Sequence, residues 1–557
     1  MGHPELEIAF VQGAIFDGVT PRAVRTDVGV AGGRITALGY DAVRAGIGAG
    51  TRVIDLADRL LLPGFNDAHV HPTEGGVERL GCDLSAARDR AGYLDTVRSY
   101  ADSHPGAPWI VGGGWAQAAF LAARPDRRDL DGVCADRPVV LANRDHHAVW
   151  ANTRALDVAG IDSGTPDPAD GHIEREADGT PSGVLHEGAQ QLLLRLAPPP
   201  SLDDLYAGFL EAQRYLHSVG ITGWQDALIG DYGNHSSREL EVYQRAIRRG
   251  DLTARVNGAL WWDRDRGSEQ IADLVALRER YRHDLFRATT VKIMQDGVPE
   301  NRTAAMIDPY LEPESGLPGT HRGRSFLDPA RLAEYVTELD AADFQVHFHA
   351  IGDRAVRECL DAVQAARRTN GNGGATHHIA HLQVVHPDDV PRFGALRVAA
   401  NIQPLWAAYD PQMTDLDIPL LGAERAAQQY PFTSLAAQGA DLCAGSDWPV
   451  TSADPWAGIH VAVTRQPPAG TADWHPDVFL PNQRLTLAQA LAAYTSGSAR
   501  INGRHRETGA IRLGYAADLT IADRNPFDLP SEEIGTIRTE QTFFAGRSVY
   551  RRETARV

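Results

Sequence analysis

At 557 residues with a formal net charge of −19, the chain is long enough for at least two domains and too acidic to suit nucleic acid or an anionic membrane surface. No basic-then-apolar leader opens it and no run of about 18 apolar residues occurs in it, so the expectation is a soluble, cytoplasmic protein. The four cysteines, Cys82, Cys134, Cys359 and Cys443, have no paired spacing and read as reduced, packed thiols rather than disulfides or ligands.

From Ile8 to Val53, short alternating apolar stretches separated by glycines predict strands and turns, with nothing catalytic among them. The next stretch, Leu60 to Pro72, runs Leu-Leu-Leu-Pro-Gly-Phe-Asn-Asp-Ala-His-Val-His-Pro and reads as an apolar run in which a strand after the Pro-Gly turn closes on His69 and His71. Residues i and i+2 of a strand face one side, so the two imidazoles would meet at one point, which is half a coordination shell for zinc, iron or manganese. From about Leu80 to Pro200 lies an excursion rich in Gly, Pro and Asp, too long for a simple loop and expected to face the substrate.

Beyond it, apolar strand candidates alternate with amphipathic helices. The strands are Ile221 to Gln225, Val256 to Leu260, Thr290 to Met294, Gln345 to Phe348, Thr376 to His381, Val398 to Ile402 and Asp441 to Ala444; helices between them include Leu202 to Ser218, Ser237 to Arg249, Glu269 to Tyr281, Pro329 to Ala342 and Arg354 to Arg367. That alternation predicts an α/β fold, a (β/α)8 TIM-type barrel over 64–502 with the insertion at about 80–200. The C-terminus returns to strands at Gly509–Gly514, Ala517–Ala522 and Phe543–Tyr550, so both ends, 1–63 and 503–557, are expected to build one small β-sandwich domain.

In such a barrel the chemistry sits at the C-terminal ends of the strands. Besides His69 and His71, those ends carry Lys292, His349, His381 and Asp447. Lys292 is the only lysine in a chain with 53 arginines, 54 basic residues less one. A lone lysine in such a chain suggests chemistry that a guanidinium cannot perform: an amine reacts with carbon dioxide to give a carbamate, an oxygen ligand able to bridge two cations.

With those residues in view, the chain resembles the amidohydrolase superfamily, in the amidohydrolase-3 or YtcJ-like branch that includes N-substituted formamide deformylases. The matching segments are Pro63 to His71, Val291-Lys292 with Asp296-Gly297, His349 to Asp353, Ile379-Ala380-His381 and Gly445 to Pro449. Gly112 to Trp115, His147 to Asn152 and Gly183 to Glu187 match more loosely. The resemblance implies one or two divalent metal ions, zinc first, at the barrel mouth. It implies that His69 and His71 hold the more buried metal, that Lys292 bridges as its carbon dioxide-derived carbamate, and that His349 and His381 hold the second. Asp447 would be both a metal contact and the catalytic proton shuttle. The implied reaction is metal-dependent hydrolysis of an amide or formamide C–N bond in a small-molecule substrate.

An ester, lactone or cyclic amide hydrolase, an amidine deaminase and a non-catalytic scaffold of the same fold remain as alternatives, and a homodimer is allowed. Trp115 and Trp448 are candidates to wall a pocket for an apolar substituent, His147 and Asp296 to contact substrate, and Glu300 and Asn301 to line the pocket. His347 and His378 are the alternatives to the named ligands or to Asp447.

Overall fold

A computed structural model describes residues 5–120, 124–230, 238–312, 315–471 and 473–553. Its centre is an eight-stranded parallel sheet in strict chain order. We number its strands β1 (Phe65–Val70), β2 (Ile221–Ile229), β3 (Arg255–Trp261), β4 (Phe286–Met294), β5 (Gln345–Ala350), β6 (His378–His381), β7 (Ala399–Ile402) and β8 (Leu442–Ala444). The strands are buried on both faces, as expected of a parallel sheet wrapped by helices, and that is why they read as apolar runs. No ladder joins β8 to β1. The gap is closed by Asp447 N donating to His69 O at 2.7 Å, Asn401 Nδ2 to Ala68 O at 2.9 Å and Ser446 N to Asp67 Oδ1 at 3.0 Å. Closing the barrel and assembling its mouth therefore use the same residues. The expected (β/α)8 architecture is present.

The helices fall between the strands where the periodicity puts them, for example Leu202–Ser218, Gln270–Arg280, Pro329–Ala341 and Asp353–Asn370. The first is started by a reciprocal cap in which Ser201 and Asp204 bond each other's backbone N–H, worth about 1 kcal/mol. The helix expected from Ser237 runs Arg238–Arg249, and position 237 lies outside the described residues.

The stretch from Leu60 to His71 is two strands in two sheets, divided at the Pro63-Gly64 turn. Leu60–Pro63 pairs with Leu519–Ala522 and Ile8–Ile15, whereas Phe65–Val70 starts the barrel. Gly64 is the pivot: its N–H goes to Asp518 O while the next N–H goes to Gly220 O, and a Cβ there would lie 2.2 Å from Thr222 Oγ1. Both chain ends contribute to the smaller sheet, in the order Arg547–Arg551, Thr539–Phe544, Leu519–Ala522, Leu60–Pro63, Ile8–Ile15, Val24–Ala31, Arg34–Leu38, with Arg52–Asp55 also on Ile8–Ile15. It wraps a core of its own, where Phe10 and Phe543 meet edge to face at 5.2 Å. Two C-terminal expectations are corrected. Gly509–Gly514 is a turn-rich connection rather than a strand, with Gly509 and Gly514 both at positive φ. Phe543–Tyr550 is broken by the Ala545-Gly546 turn, both residues again at positive φ.

The excursion after β1 forms a third sheet of six strands, Gly171–Arg175, Pro181–Glu187, Ala148–Ala151, Val139–Asn143, Ile110–Trp115 and Cys82–Asp83 in spatial order, with apolar clusters on its two faces. One of its turns, Asn143 to Ala148, reaches the barrel mouth through Asp145 and His147.

Candidate metal centre

His69 is the penultimate residue of β1, and His71 sits just past it as the N-cap of helix Pro72–Leu80. Their Nε2 atoms lie 3.3 Å apart, and Asp447 Oδ1 from the loop after β8 lies 3.0 Å from the first and 3.2 Å from the second. These three ligand atoms fall within 4.8 Å of one another and are therefore aimed at a common point. Asp447 reaches it from a left-handed backbone at φ 59°, a conformation that costs a non-glycine residue of order 1–3 kcal/mol and that the surrounding bonds hold in place.

Behind them, a buried hydrogen-bond chain decides which ring nitrogens carry protons. Gln225 Nε2 donates to Gln345 Oε1 at 3.1 Å, so its Oε1 faces the two rings that approach it, His347 Nδ1 at 2.6 Å and His378 Nε2 at 3.0 Å. A carbonyl oxygen only accepts, so both of those nitrogens bear hydrogen. His378 Nδ1 is then bare, and accepts from Asn401 Nδ2 at 3.2 Å. His347 Nε2 is bare as well, so the proton it shares at 3.0 Å belongs to His69 Nδ1. The consequence is that His69 Nε2 presents a lone pair to the site. A ligating histidine usually has its tautomer fixed by such an outer partner.

Lys292 on β4 is in register with His347 on β5, which is in register with His378 on β6, forming one row of the barrel interior. Burial pushes the Lys292 amine down to about 7, and the charge of Asp447 offsets only part of that. His349 ends β5 and His381 ends β6, with ring centroids 4.2 Å apart; His381 lies 5.0 Å from His69 ring to ring, and its Nδ1 is 3.7 Å from Asp447 Oδ2. His381 Nε2 is buried with no hydrogen-bond partner. Burial drives His69, His347, His349, His378 and His381 all well below the usual imidazole range, and the positive charge of Lys292 lowers each further. Asp447 goes the other way: burial raises its carboxyl, but contacts with His69 and His71 outweigh that and keep it ionised. Neutral imidazoles, a bare Nε2, an orphaned Nε2 and one carboxylate are a donor set that fits a divalent cation.

The site opens into a cleft of about 470 Å³ lined by His147, His349, His381 and Asp447 and, further on, by Asp145, Glu300, Gln383, Gln403, Trp406, Gln412, Asp417 and Tyr430. His147 of the insertion is thus at the cavity. Burial lowers its imidazole, but Glu187 Oε2 at 3.0 Å from Nδ1 raises it more, to about 9. Three expected substrate contacts lie elsewhere. Trp115 is in the insertion core, donating to Leu141 O and packing against Phe120 and Trp150. Trp448 packs on Tyr215 and against Gly75, where a Cβ would sit 2.8 Å from its ring. Asp296 is fully buried beneath the mouth, accepting from the backbone N–H groups of Ala305, Ile351 and Gly352. Glu300 does line the cavity, whereas Asn301 is not among its lining residues. Sequence reasoning missed Gln225, Asn401, Asp145, Gln403 and Asp417. For Gln225 a signal existed, an amide at the centre of the strand Ile221–Ile229, where its side chain would be buried.

A barrel of this construction, with candidate metal ligands gathered at its mouth, is the amidohydrolase architecture. Residues 52–550 match the Amidohydrolase family, and the chain belongs to it. It is 29% identical over 504 residues to the putative amidohydrolase YtcJ of Bacillus subtilis, covering 90% of each chain. It is 26% identical over 552 residues to the N-substituted formamide deformylase of Arthrobacter pascens, covering 94% of each. Among solved structures, an uncharacterized metal-dependent hydrolase from Pyrococcus furiosus superposes with a TM-score of 0.70 at 25% identity, over 94% of this chain and 100% of that one. Among the described residues no helix is long and apolar enough to cross a membrane.

Proposed function

We propose that the protein hydrolyses the C–N bond of an N-substituted formamide or a related small amide, using one or two divalent cations, zinc first, at the barrel mouth. The observation that carries the reading is the convergence of His69 Nε2, His71 Nε2 and Asp447 Oδ1 in a chain of this family. The named activity of the Arthrobacter pascens relative supports the choice of bond. A divalent cation held there supplies Lewis-acid activation of water and of the scissile carbonyl.

The chain's own residues supply the remaining parts. Asp447 is ionised and takes the proton of the attacking water on its carboxylate, then returns it to the departing nitrogen, which leaves as a neutral amine. His147, kept cationic by Glu187, lines the cavity with Nδ1 occupied, and its Nε2–H is the donor left to bond the carbonyl oxygen as charge builds on it. His347 and Gln225 hold the His69 ring at a fixed angle. His349 and His381 complete the shell.

The Lys292 amine, lowered by its surroundings, is partly free base at neutral pH and combines with carbon dioxide to give a carbamate and a proton. That conversion replaces a cation that disfavours protonation of five neighbouring imidazoles with an anion that suits divalent cations. The cytoplasm, a reducing compartment, suits four free and buried cysteines.

The test is metal analysis of the purified protein together with hydrolysis of a panel of N-alkyl and N-benzyl formamides, acetamides, esters and lactones. Formate release from a formamide, lost on chelation and restored by zinc, is the expected result. Turnover of esters alone, or full turnover after thorough demetallation, would remove the proposal.

A further inference from the structure

The same cavity holds a second group of polar side chains that the hydrolytic chemistry does not use, Asp145, Glu300, Gln403, Gln412 and Asp417. They come from separate parts of the chain. Asp145 is on the insertion turn, Glu300 follows β4, Gln403 is the first residue after β7, and Asp417 closes the π-helical turn Met413–Asp417 between β7 and β8. Asp417 Oδ2 accepts from Gln383 Nε2 at 2.7 Å, but its Oδ1 is buried with no partner. Gln403 is 1% exposed, and neither its Oε1 nor its Nε2 has a partner. Gln412 Nε2 donates to Glu300 Oε1 at 2.8 Å, and Glu300 also shares a hydrogen bond with Asp145. A buried polar atom without a partner costs about 1–3 kcal/mol, so this lining is arranged for something that brings donors and an acceptor.

Charge says what the donors belong to. Burial, then the charges of Asp417 and Asp145, hold Glu300 well above the usual carboxyl range; burial, and the charges of Asp410 and Asp145, push Asp417 to about 8. These carboxyls crowd one another, so each makes the next harder to ionise, and the cationic neighbours at the edge of the group are His147 beside Asp145 and Arg144 beside Asp410; a bound cation among them supplies the counter-charge that lets the carboxyls ionise. A bare metal ion does not fit: among the described residues the acidic or histidine triples with ligand atoms within 4.8 Å of one another are His69–His71–Asp447 and Glu74–Glu78–His146, and these carboxyls form no such set. An extended organic cation reaches oxygens that are spread apart, and its N–H groups are the donors that Asp417 Oδ1 and Gln403 Oε1 lack.

We propose that the substrate carries a second, cationic nitrogen, and that the enzyme acts on mono-acylated diamines or their amidino analogues, with the cation held among Asp417, Glu300 and Asp145 and the acyl carbonyl accepting from Gln403 Nε2. This rests on the C–N hydrolysis proposed above. The same lining disfavours a substrate that ends in a carboxylate, since a further anion would sit against three carboxyls.

The metal-loaded enzyme is assayed with three chains of equal length, N-formyl-1,4-diaminobutane, N-pentylformamide and 5-formamidopentanoate. The expected order of kcat/KM is cation, neutral, anion, with the first favoured over the second by about ten- to a hundred-fold, the range of a charged hydrogen bond. Asp417→Asn and Glu300→Gln, each checked for an unchanged melting temperature, should both shrink that ratio, the first nearly to one. In parallel, calorimetry with 1,4-diaminobutane and with butylamine reads the pocket without turnover, and the diamine should bind about ten-fold or more tightly, with the difference lost in Asp417→Asn. Equal hydrolysis of the neutral and cationic formamides, or a cation preference that survives in both variants, overturns the inference and leaves the proposed reaction standing. No hydrolysis of any formamide, with diamine binding that depends on Asp417, means the reaction is wrong and the cation pocket right. Absence of both hydrolysis and diamine binding overturns the cation pocket.

Discussion

The ring nitrogens of His347 and His378 each have a partner that assigns their protons, whereas in the cavity a short way off the Gln403 amide and one oxygen of Asp417 are buried without any partner. The two linings follow different rules because they do different work. Water activation requires one arrangement whatever the substrate, so the histidine side is held by its own protein network before anything binds. Recognition requires groups whose partners arrive with the substrate, so the acidic side is incomplete on its own and costs stability until filled.

The sharpest break in that contrast is at the pre-built side. His69→Asn removes the lone pair on which the Gln225–His347 chain converges, and should abolish both metal content and turnover, read by elemental analysis and by formate release. Wild-type metal content in this variant would show that His69 is not a ligand. Asp447→Asn keeps the shape and much of the metal but has no base to offer, so kcat should fall by about 10² to 10⁴-fold, the range for a positioned general base. Unchanged kcat in Asp447→Asn would move the proton-handling role to another group, with His378 and His347 behind it.

The histidine side was legible in the sequence because each of its residues ends a strand. Apolar runs alternating with amphipathic helices located the strands, the barrel convention located their C-terminal ends, and the ends held His69, Lys292, His349 and His381, with His71 and Asp447 one to three residues beyond. The acidic side was not. Asp145, Gln403 and Asp417 sit on three connections whose proximity is decided by barrel closure and by how the insertion docks, and no periodicity marks residues that meet only in space. The tryptophans misled for a related reason: a large apolar side chain reads alike whether it walls a cavity or fills a core, and Trp115 and Trp448 fill cores.

Lys292 stands between the two linings in kind, since it is buried and prearranged yet, on the proposed chemistry, would gain carbon dioxide before it could serve as a ligand. Lys292→Arg should be inactive although it keeps the charge, while Lys292→Ala should be partly rescued by acetate, formate or propionate occupying the cavity. Equal activity of the arginine variant, or a mass measurement under gentle conditions showing an unmodified amine in active enzyme, would make Lys292 an ordinary polar group. A milder disturbance leaves every ligand in place. Gln225→Leu takes the acceptor from His347 and His378 while keeping the apolar volume, and should weaken metal binding about 10- to 100-fold without unfolding the barrel. Zinc affinity by competition with a chromophoric chelator measures it, and an unchanged affinity would make the chain a packing feature only.

The smallest expected effect tests how the two linings are tied together. His146 stands between Asp145, which belongs to the acidic side, and His147, which belongs to the metal side. Its own ring bonds neither lining: Nδ1 lies 3.1 Å from Glu74 and Nε2 3.1 Å from Glu78, both on the helix that follows His71. Burial lowers this imidazole, but the two carboxylates together raise it to about 10. A histidine whose folded pKa is raised contributes stability that is complete below its unfolded pKa, roughly 6.5, and that is lost as pH climbs through the folded value. The clamp should therefore weaken progressively as pH climbs toward 10, while at pH 6 Glu78, which burial and then the charge of Glu74 raise to about 7, is largely protonated and leaves Glu74 as the carboxylate that holds the ring. Glu74 is half exposed, so solvent screens the pair and the gain is modest, a shift in melting temperature on the order of a degree. His146→Asn, compared with wild type in melting scans across pH 6 to 10, should show its deficit at the low end and converge with wild type at the high end. Activity adds a second readout: because the turn carries both Asp145 and His147, loosening it should raise KM and lower kcat together rather than either alone. A deficit that is constant across the range would mean that the ring is held by packing and carries no proton of consequence, and the coupling of the two linings would have to lie elsewhere.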